Sequence, residues 1–480
     1  MFCLLQALFS SQLALAAVDI RVNPAVVIKT NTQMPLGMGL NQLNDGTLSL
    51  ESLKSAVLQT GSKHLRFPEG ESADNYSFTD PAFLNRPNPS TARMVNPKYW
   101  PVGTSLANHN GTLRKGLNFD QFMTVARAAG ASPNIVLCYP CGDKVKALEI
   151  AKAWVKYSKD KAYNVLNWEI GNETYLYNPN YTDEYPMTAD EYARDIVTWA
   201  VALKSIDPRI RIGVNGKTRA WLKTLMTYKD SARNLYGAQV IDFLAIHSYP
   251  MYDSSFSAYQ QNRNAWGALD FTADIQPAME ALWDAADVVN TAHIKISVTE
   301  CSTMNFSTQS DPNNMGSALM TADLLLTLLK QPRVDFVELW ASRWIKNFSS
   351  GLPQGSDTFS AKNKLNPSGL ALAAITQFNR EQVVATTGET SSLKAFASRS
   401  QEGALTVVLL NRANSVQSVS LSVVGAGSLS GKKHSFQASS ATSPTPTFDA
   451  TGVGVQSSLS ALNLSVPKTS FLILNFPKLK

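Results

Sequence analysis

"LNWEIGNETYLY", residues 166–177, opens as an apolar β-type run and closes on Asn172 and Glu173, with Glu169 inside it. A strand that ends on an amide and a carboxylate delivers polar groups to a cavity. The run therefore needs a fold in which strand ends meet at one mouth.

Working outward, seven further runs share its texture, giving eight in all: Leu36–Leu40, Lys63–Pro68, Pro133–Tyr139, Val165–Glu173, Arg209–Gly216, Asp242–Tyr249, Lys295–Glu300 and Asp335–Trp340. Each is followed by a segment of helical pattern. "DKVKALEIAKAWVKYSKD" spaces Val145, Leu148, Ala151 and Val155 as a helix face, and Thr188 followed by Glu191 reads as a capping box. Eight βα units are what a (β/α)8 TIM barrel requires, whereas a doubly wound sheet more often stops earlier. The fold class expected is α/β, a barrel over residues 34–382.

After Gln382 the texture changes to Ser/Thr/Val runs such as "ALTVVLLNRA" and "TSFLILNFP", which predict a C-terminal antiparallel β-sandwich over 383–480. The segment 18–33 is also strand-like and is expected to join that sandwich. Residues 1–17 are apolar and end near Ala14-Leu15-Ala16, a small-residue cleavage pattern, so a secretory signal peptide and an extracellular location are expected. No later segment reads as a membrane span. The sequons at Asn75, Asn110 and Asn347 suit a glycoprotein.

The net charge is +6 over 480 residues with the cations scattered, which does not describe a nucleic-acid footprint. Four cysteines make no disulfide scaffold, and Cys138 and Cys141, spaced C-x-x-C without a second pair, read as a local disulfide or buried thiols. His64, His109, His293 and His434 form no metal-ligand pattern, and neither a metal nor a cofactor is expected. G-x-S-x-G and G-x-G-x-x-G motifs are absent, which speaks against a serine esterase and a nicotinamide enzyme. The oligomeric state is not legible.

In a barrel, chemistry sits at the C-terminal strand ends. Glu173 closes the fourth run and Glu300 the seventh, so two carboxylates distant in sequence converge on one mouth. Paired carboxylates are the equipment of glycoside hydrolysis, where one protonates the leaving oxygen and the other meets the anomeric carbon. Arg66 and Tyr249 are placed to hold a carboxylate ionised, His247 lies on the same strand end as Tyr249, and Trp340 offers a face for a sugar ring. Glu169 is expected to be a buried structural partner of Arg66 or a lysine.

"NWEIGNE", "IHSYP", "SVTE" and "LRFPEGESADNY" resemble the clan A retaining glycoside hydrolases, notably family 79 (heparanase and β-glucuronidase-like) and family 51 (α-L-arabinofuranosidase-like). The resemblance implies Asn172 as the 2-hydroxyl ligand, Glu173 as acid/base and Glu300 as nucleophile; an acid in that place needs a raised pKa, which like-charge repulsion from Glu300 is expected to supply. One departure is Pro68-Glu69-Gly70 where those families commonly carry a Pro-Gly-Gly-like turn. Lys217, Arg219, Arg343 and Lys346 are cations near the expected mouth that would suit a uronic acid, and Tyr76, Phe78, Tyr99 and Trp100 are aromatics available to a cleft. The expected partner is a poly- or oligosaccharide, β-glucuronidase-like first and arabinofuranosidase-like second. An inactive carbohydrate-binding protein is the alternative of another class.

Overall fold

A computed structural model describes residues 17–95, 108, 111–113, 116–139, 143–176, 188–305, 312–343 and 357–479. The leader, Cys141, Lys346, Tyr99, Trp100 and the sequons at Asn110 and Asn347 lie outside the described residues. Eight parallel strands close into a barrel: Leu36–Gly39, His64–Phe67, Ser132–Leu137, Asn167–Ile170, Arg211–Asn215, Phe243–Ser248, Lys295–Cys301 and Val334–Leu339. The ring is completed by the pairing of the last strand with the first, Val337 opposite Leu36.

Helices on the outside seal the barrel, and their starts follow the sequence. Thr188 accepts a hydrogen bond from the Glu191 amide at 3.2 Å, while the Thr188 amide donates to Glu191 Oε2 at 2.9 Å, closing the capping box of helix Ala189–Ile206. Helix Lys144–Asp160 differs from the face read in the sequence. It buries Ala147, Ile150, Ala151, Trp154, Val155 and Ser158, leaving Val145 72 % exposed. Trp154 stacks on Phe78 at 5.1 Å and packs edge-on to Phe119 at 5.3 Å, and this aromatic contact sets the helix rotation. Phe78 and Tyr76 are therefore wholly buried core residues, not cleft aromatics. Asn75 beside them is buried too, which removes that sequon as a glycan site.

The C-terminal strands form one antiparallel sheet that also takes in Val18–Thr30, antiparallel to Gln382–Thr387 and parallel to Gln417–Val423. Strand Leu405–Asn411 is buried at every position because both of its faces are covered. Leu405, Val407 and Leu409 point into the sheet's own core with Ile20, Val22 and Leu472. Val408 and Leu410 point the other way, into the core shared with the barrel helices. Period-two alternation thus binds the two units through one continuous apolar body. Across that seam Arg412 Nε meets Asp323 Oδ2 at 2.5 Å, and Tyr259 donates to the same oxygen at 2.8 Å.

Candidate active site

The fourth strand stops at Ile170, three residues earlier than its apolar pattern suggests. Gly171 and Glu173 take φ of 76° and 45°, which turns the chain out of the extended conformation. The turn is held by its neighbours. Asn215, at the end of the fifth strand, donates to the Ile170 and Gly171 carbonyls at 3.1 and 3.0 Å and accepts from the Thr174 amide at 2.9 Å. Asp74 accepts from the Asn172 amide at 3.2 Å. Asn172 and Glu173 thus stand on a braced turn above the barrel, while Glu169 points into its interior.

Arg66, buried on the second strand, ties these groups together. Its Nε and Nη2 donate to the two oxygens of Glu169 at 3.2 and 3.1 Å, Nη2 also donates to Asn172 Oδ1 at 2.9 Å, and Nη1 donates to Glu300 Oε1 at 2.5 Å. The planar guanidinium suits this bidentate work, which lysine's point charge would not reproduce. Tyr249 donates to the other oxygen of Glu300 at 2.6 Å. Glu300 therefore has each oxygen committed to a donor, which fixes its orientation. Deeper in, Asn134 bridges Glu169 at 2.5 Å and Glu338 at 2.8 Å.

Glu173 faces Glu300 across His247. His247 Nδ1 lies 2.8 Å from Glu173 Oε1 and 3.3 Å from Glu300 Oε2, and Tyr175 donates to Glu173 Oε1 at 3.0 Å. Oxygens of the two glutamates lie within 4.8 Å of one another. Burial pushes the Glu173 carboxyl up, but the His247 charge, the hydrogen bonds from His247 and Tyr175, and Arg66 outweigh it and hold Glu173 below the usual range. Burial likewise depresses His247, and the charges of Glu300 and Glu173 overcome that and raise it. This reverses the sequence expectation of a raised Glu173. The imidazole, whose placement next to the acid was not foreseen, supplies the difference. Glu173, His247 and Glu300 also offer a donor set for a divalent ion, but Arg66 and Tyr249 already engage Glu300.

These groups open onto a cleft of about 840 Å³. Trp340 lines it, with its ring edge-on to Tyr249 at 6.4 Å. Of the expected cations, Lys217 lines the cleft. Arg219 is engaged by Asp284 at 2.7 and 2.8 Å on the outer surface, and Arg343 is buried against Asp45, so neither is available to a substrate carboxylate. The cleft wall carries acids instead: Glu69, Glu71, Asp253 and Asp274.

Glu69 is the residue whose part sequence reading missed, though the Pro68-Glu69-Gly70 departure marked its place. It adopts φ 80°, a conformation natural to glycine, and is only 2 % exposed. The Asn41 side chain is the one hydrogen-bonding neighbour its carboxyl has among the described residues. Burial first, then the charges of Glu300 and Asp45, push its pKa well up against the pull of Arg66 and Asn41. Tyr175, Asn134 and Asp74 were also missed, since loop and strand-interior polar residues carry no periodic signal.

No protein-family model matches the chain. A protein of Aspergillus fumigatus named as a probable α-L-arabinofuranosidase C is 26 % identical over 231 residues, covering 44 % of this chain and 42 % of its own length. The α-L-arabinofuranosidase C of Emericella nidulans is 26 % identical over 248 residues, 47 % of this chain and 44 % of its own. The chain thus spans less than half the length of the curated relatives it matches. The arabinofuranosidase of Thermotoga maritima, solved with arabinose, superposes with a TM-score of 0.72 at 18 % identity, covering 96 % of this chain and 99 % of that one. A family 51 α-L-arabinofuranosidase of Bifidobacterium longum gives 0.70 at 16 %, covering 95 % and 99 %. The relatives and neighbours are glycoside hydrolases of clan A, and the fold they share is this barrel with its C-terminal sheet domain.

Proposed function

We propose that the chain is a retaining glycoside hydrolase acting on a neutral sugar of a poly- or oligosaccharide, with an α-L-arabinofuranoside as the first substrate to try. The observation that carries the proposal is the pair of glutamates with oxygens within 4.8 Å, one of them clamped by Arg66 and Tyr249. Retaining enzymes hold their carboxyl groups about 5–5.5 Å apart, whereas inverting ones leave about 6.5–9.5 Å for a water.

Glu300, ionised and aimed, attacks the anomeric carbon while Glu173 protonates the departing oxygen. That proton comes from the Glu173–His247 pair, where a shift of one hydrogen along a 2.8 Å contact arms the acid. Water then enters, Glu173 takes its proton, and the glycosyl ester at Glu300 is cleaved with net retention. Asn172, oriented by Arg66, faces the same site as the ligand of the neighbouring sugar hydroxyl, and Trp340 covers a face of the ring.

A neutral sugar is favoured over a uronic acid because acids outnumber Lys217 on the cleft wall, and because the relatives are named for arabinofuranose. Export is favoured by the apolar leader and by Cys138, which is disulfide-bonded.

The test is aryl-group release from arabinofuranoside, glucuronide, xyloside, glucoside and galactoside substrates by wild type and Glu300→Gln. Selective release by wild type that the variant loses supports the proposal. Release from the glucuronide alone would overturn the neutral-sugar reading, and no release from any substrate would favour a carbohydrate-binding protein.

A further inference from the structure

The sixth strand brings two groups to the site at its end: His247 beside Glu173 and, two residues on, Tyr249 on Glu300. Its pairing with the seventh strand shifts register between Ile246 and His247, so that Ile246 lies opposite Val298 and His247 opposite Glu300. Such an irregularity re-aims a strand end. The strand itself stops at Ser248, which leaves the Tyr249 amide beyond the ladder that serves its neighbours. A buried amide there needs another acceptor.

That acceptor is Asp274, half-buried on the turn that precedes helix Gln276–Ala285. Its Oδ2 takes the Tyr249 amide at 3.0 Å and the Ser248 hydroxyl at 3.1 Å. The turn is anchored on both sides of Asp274, since Phe271 and Ile275 are buried and Phe271 stacks on Tyr259 at 6.2 Å. From the other direction the Ser302 amide donates to the Ser248 carbonyl at 3.1 Å, tying the same residue to the strand that carries Glu300. One carboxyl oxygen thus grips the main chain from which the Tyr249 side chain springs, and that side chain ends 2.6 Å from Glu300 Oε2. Burial raises the Asp274 carboxyl in pKa, and the two donors and the charge of Lys217 work against that rise.

The lever is long. A swing of about 10° at the Cα of a tyrosine carries its hydroxyl by about 1 Å, a misplacement of the size that costs rate by orders of magnitude. Resting on the proposed glycosidase reading, we infer that Asp274 is a positioning residue for the nucleophile: by fixing the Tyr249 main chain it sets the phenol on Glu300. It acts through Tyr249 and touches no reacting atom. What it supplies is an acceptor rather than a charge, because both of its donors are neutral groups.

The test measures kcat/KM of the full chain on 4-nitrophenyl arabinofuranoside, glucuronide, xyloside, glucoside and galactoside, and follows the one that wild type cleaves fastest. The variants are Asp274→Ala, Asp274→Asn, Tyr249→Phe and the double variant Asp274→Ala/Tyr249→Phe. Asp274→Ala is expected to lose about tenfold or more, and Asp274→Asn, which keeps an amide oxygen for both donors, to stay within about threefold of wild type. With the phenol already gone nothing remains to be aimed, so Asp274→Ala should cost less than about twofold in the Tyr249→Phe background. An Asp274→Ala variant as active as wild type, or losses that multiply in the double variant, overturn the assignment. So does an Asp274→Asn variant that loses tenfold, and that variant decides alone if the alanine protein does not fold. A wild type that cleaves none of the five glycosides overturns the glycosidase reading itself, and the role of Asp274 with it.

Discussion

Glu69→Gln isolates the protonation state of one buried carboxyl. Glutamine keeps the shape of the neutral acid and keeps an amide oxygen to accept from Asn41. A free glutamate titrates near 4.5, whereas burial and the charges of Glu300 and Asp45 hold folded Glu69 well above that value. The sign follows: below pH 4.5 both states are protonated and the residue costs nothing, and as pH rises the unfolded chain ionises while the folded one does not, so stability is lost until folded Glu69 itself titrates. A carboxyl that stayed neutral in the fold from pH 4.5 to pH 7 would cost the fold about 1.4 kcal/mol per pH unit, to a ceiling of roughly 3.4 kcal/mol. Gln escapes it. At about 2.1 cal/mol/K per residue, a chain of 480 residues moves by roughly 1 °C in Tm per kcal/mol. Scanning calorimetry of both proteins should therefore show the variant ahead by under about 1 °C at pH 5 and by about 3 °C at pH 7. A gap that stays constant across this range would mean that Glu69 is ionised in the folded protein, and the neutral-acid reasoning would be refuted.

Three further outcomes are expected. Glu173→Ala should slow an oligosaccharide by about a hundredfold or more while sparing aryl glycosides with acidic phenols, whose departure needs no proton; equal loss on both in initial-rate assays would count against its role as acid. His247→Gln should move the alkaline limb of kcat/KM to lower pH, because a pair that shares one proton releases it at a higher pH than Glu173 beside a neutral partner; a limb that stays in place in the pH–rate profile would show that His247 holds none of that proton. Arg412→Ala should destabilise the fold by about 3–5 kcal/mol in thermal or urea unfolding, since it strands Asp323 in the seam between barrel and sheet; a change under about 1 kcal/mol would place that pair among the inconsequential ones.

The barrel was legible because its strands are short apolar runs bounded by turn residues, and the eight runs coincide with the eight strands to within a few residues. Legibility ended where backbone conformation departs from periodicity. The fourth run overshoots its strand because Gly171 and Glu173 leave the extended region, a change that hydrophobic pattern does not encode. The helix face at Val145 was misread because the aromatic cluster around Trp154 comes from Phe78 and Phe119, distant in the chain. At the site, Glu173, Glu300 and Arg66 announced themselves at strand ends, whereas Tyr175 sits in a turn whose composition says only that it is a turn.

Many carboxyls crowd this mouth, and strand-end position alone does not select a nucleophile among them. The choice is made by where positive charge and hydrogen-bond donors reach. Glu69, Asp74 and Glu338 are driven up in pKa chiefly by burial, and acquire too few donors to offset it. Glu300 receives Arg66 on one oxygen and Tyr249 on the other. Arg66 reaches that position because Glu169 grips its far side through Nε and Nη2, leaving Nη1 to project toward the seventh strand. Glu169 thus serves the site by aiming the guanidinium. A neighbour whose ionisation is suppressed serves it as well: an ionised Glu69 would set a second negative charge beside Glu300 and draw on the same Arg66, so its burial leaves the cation to the residue that must attack.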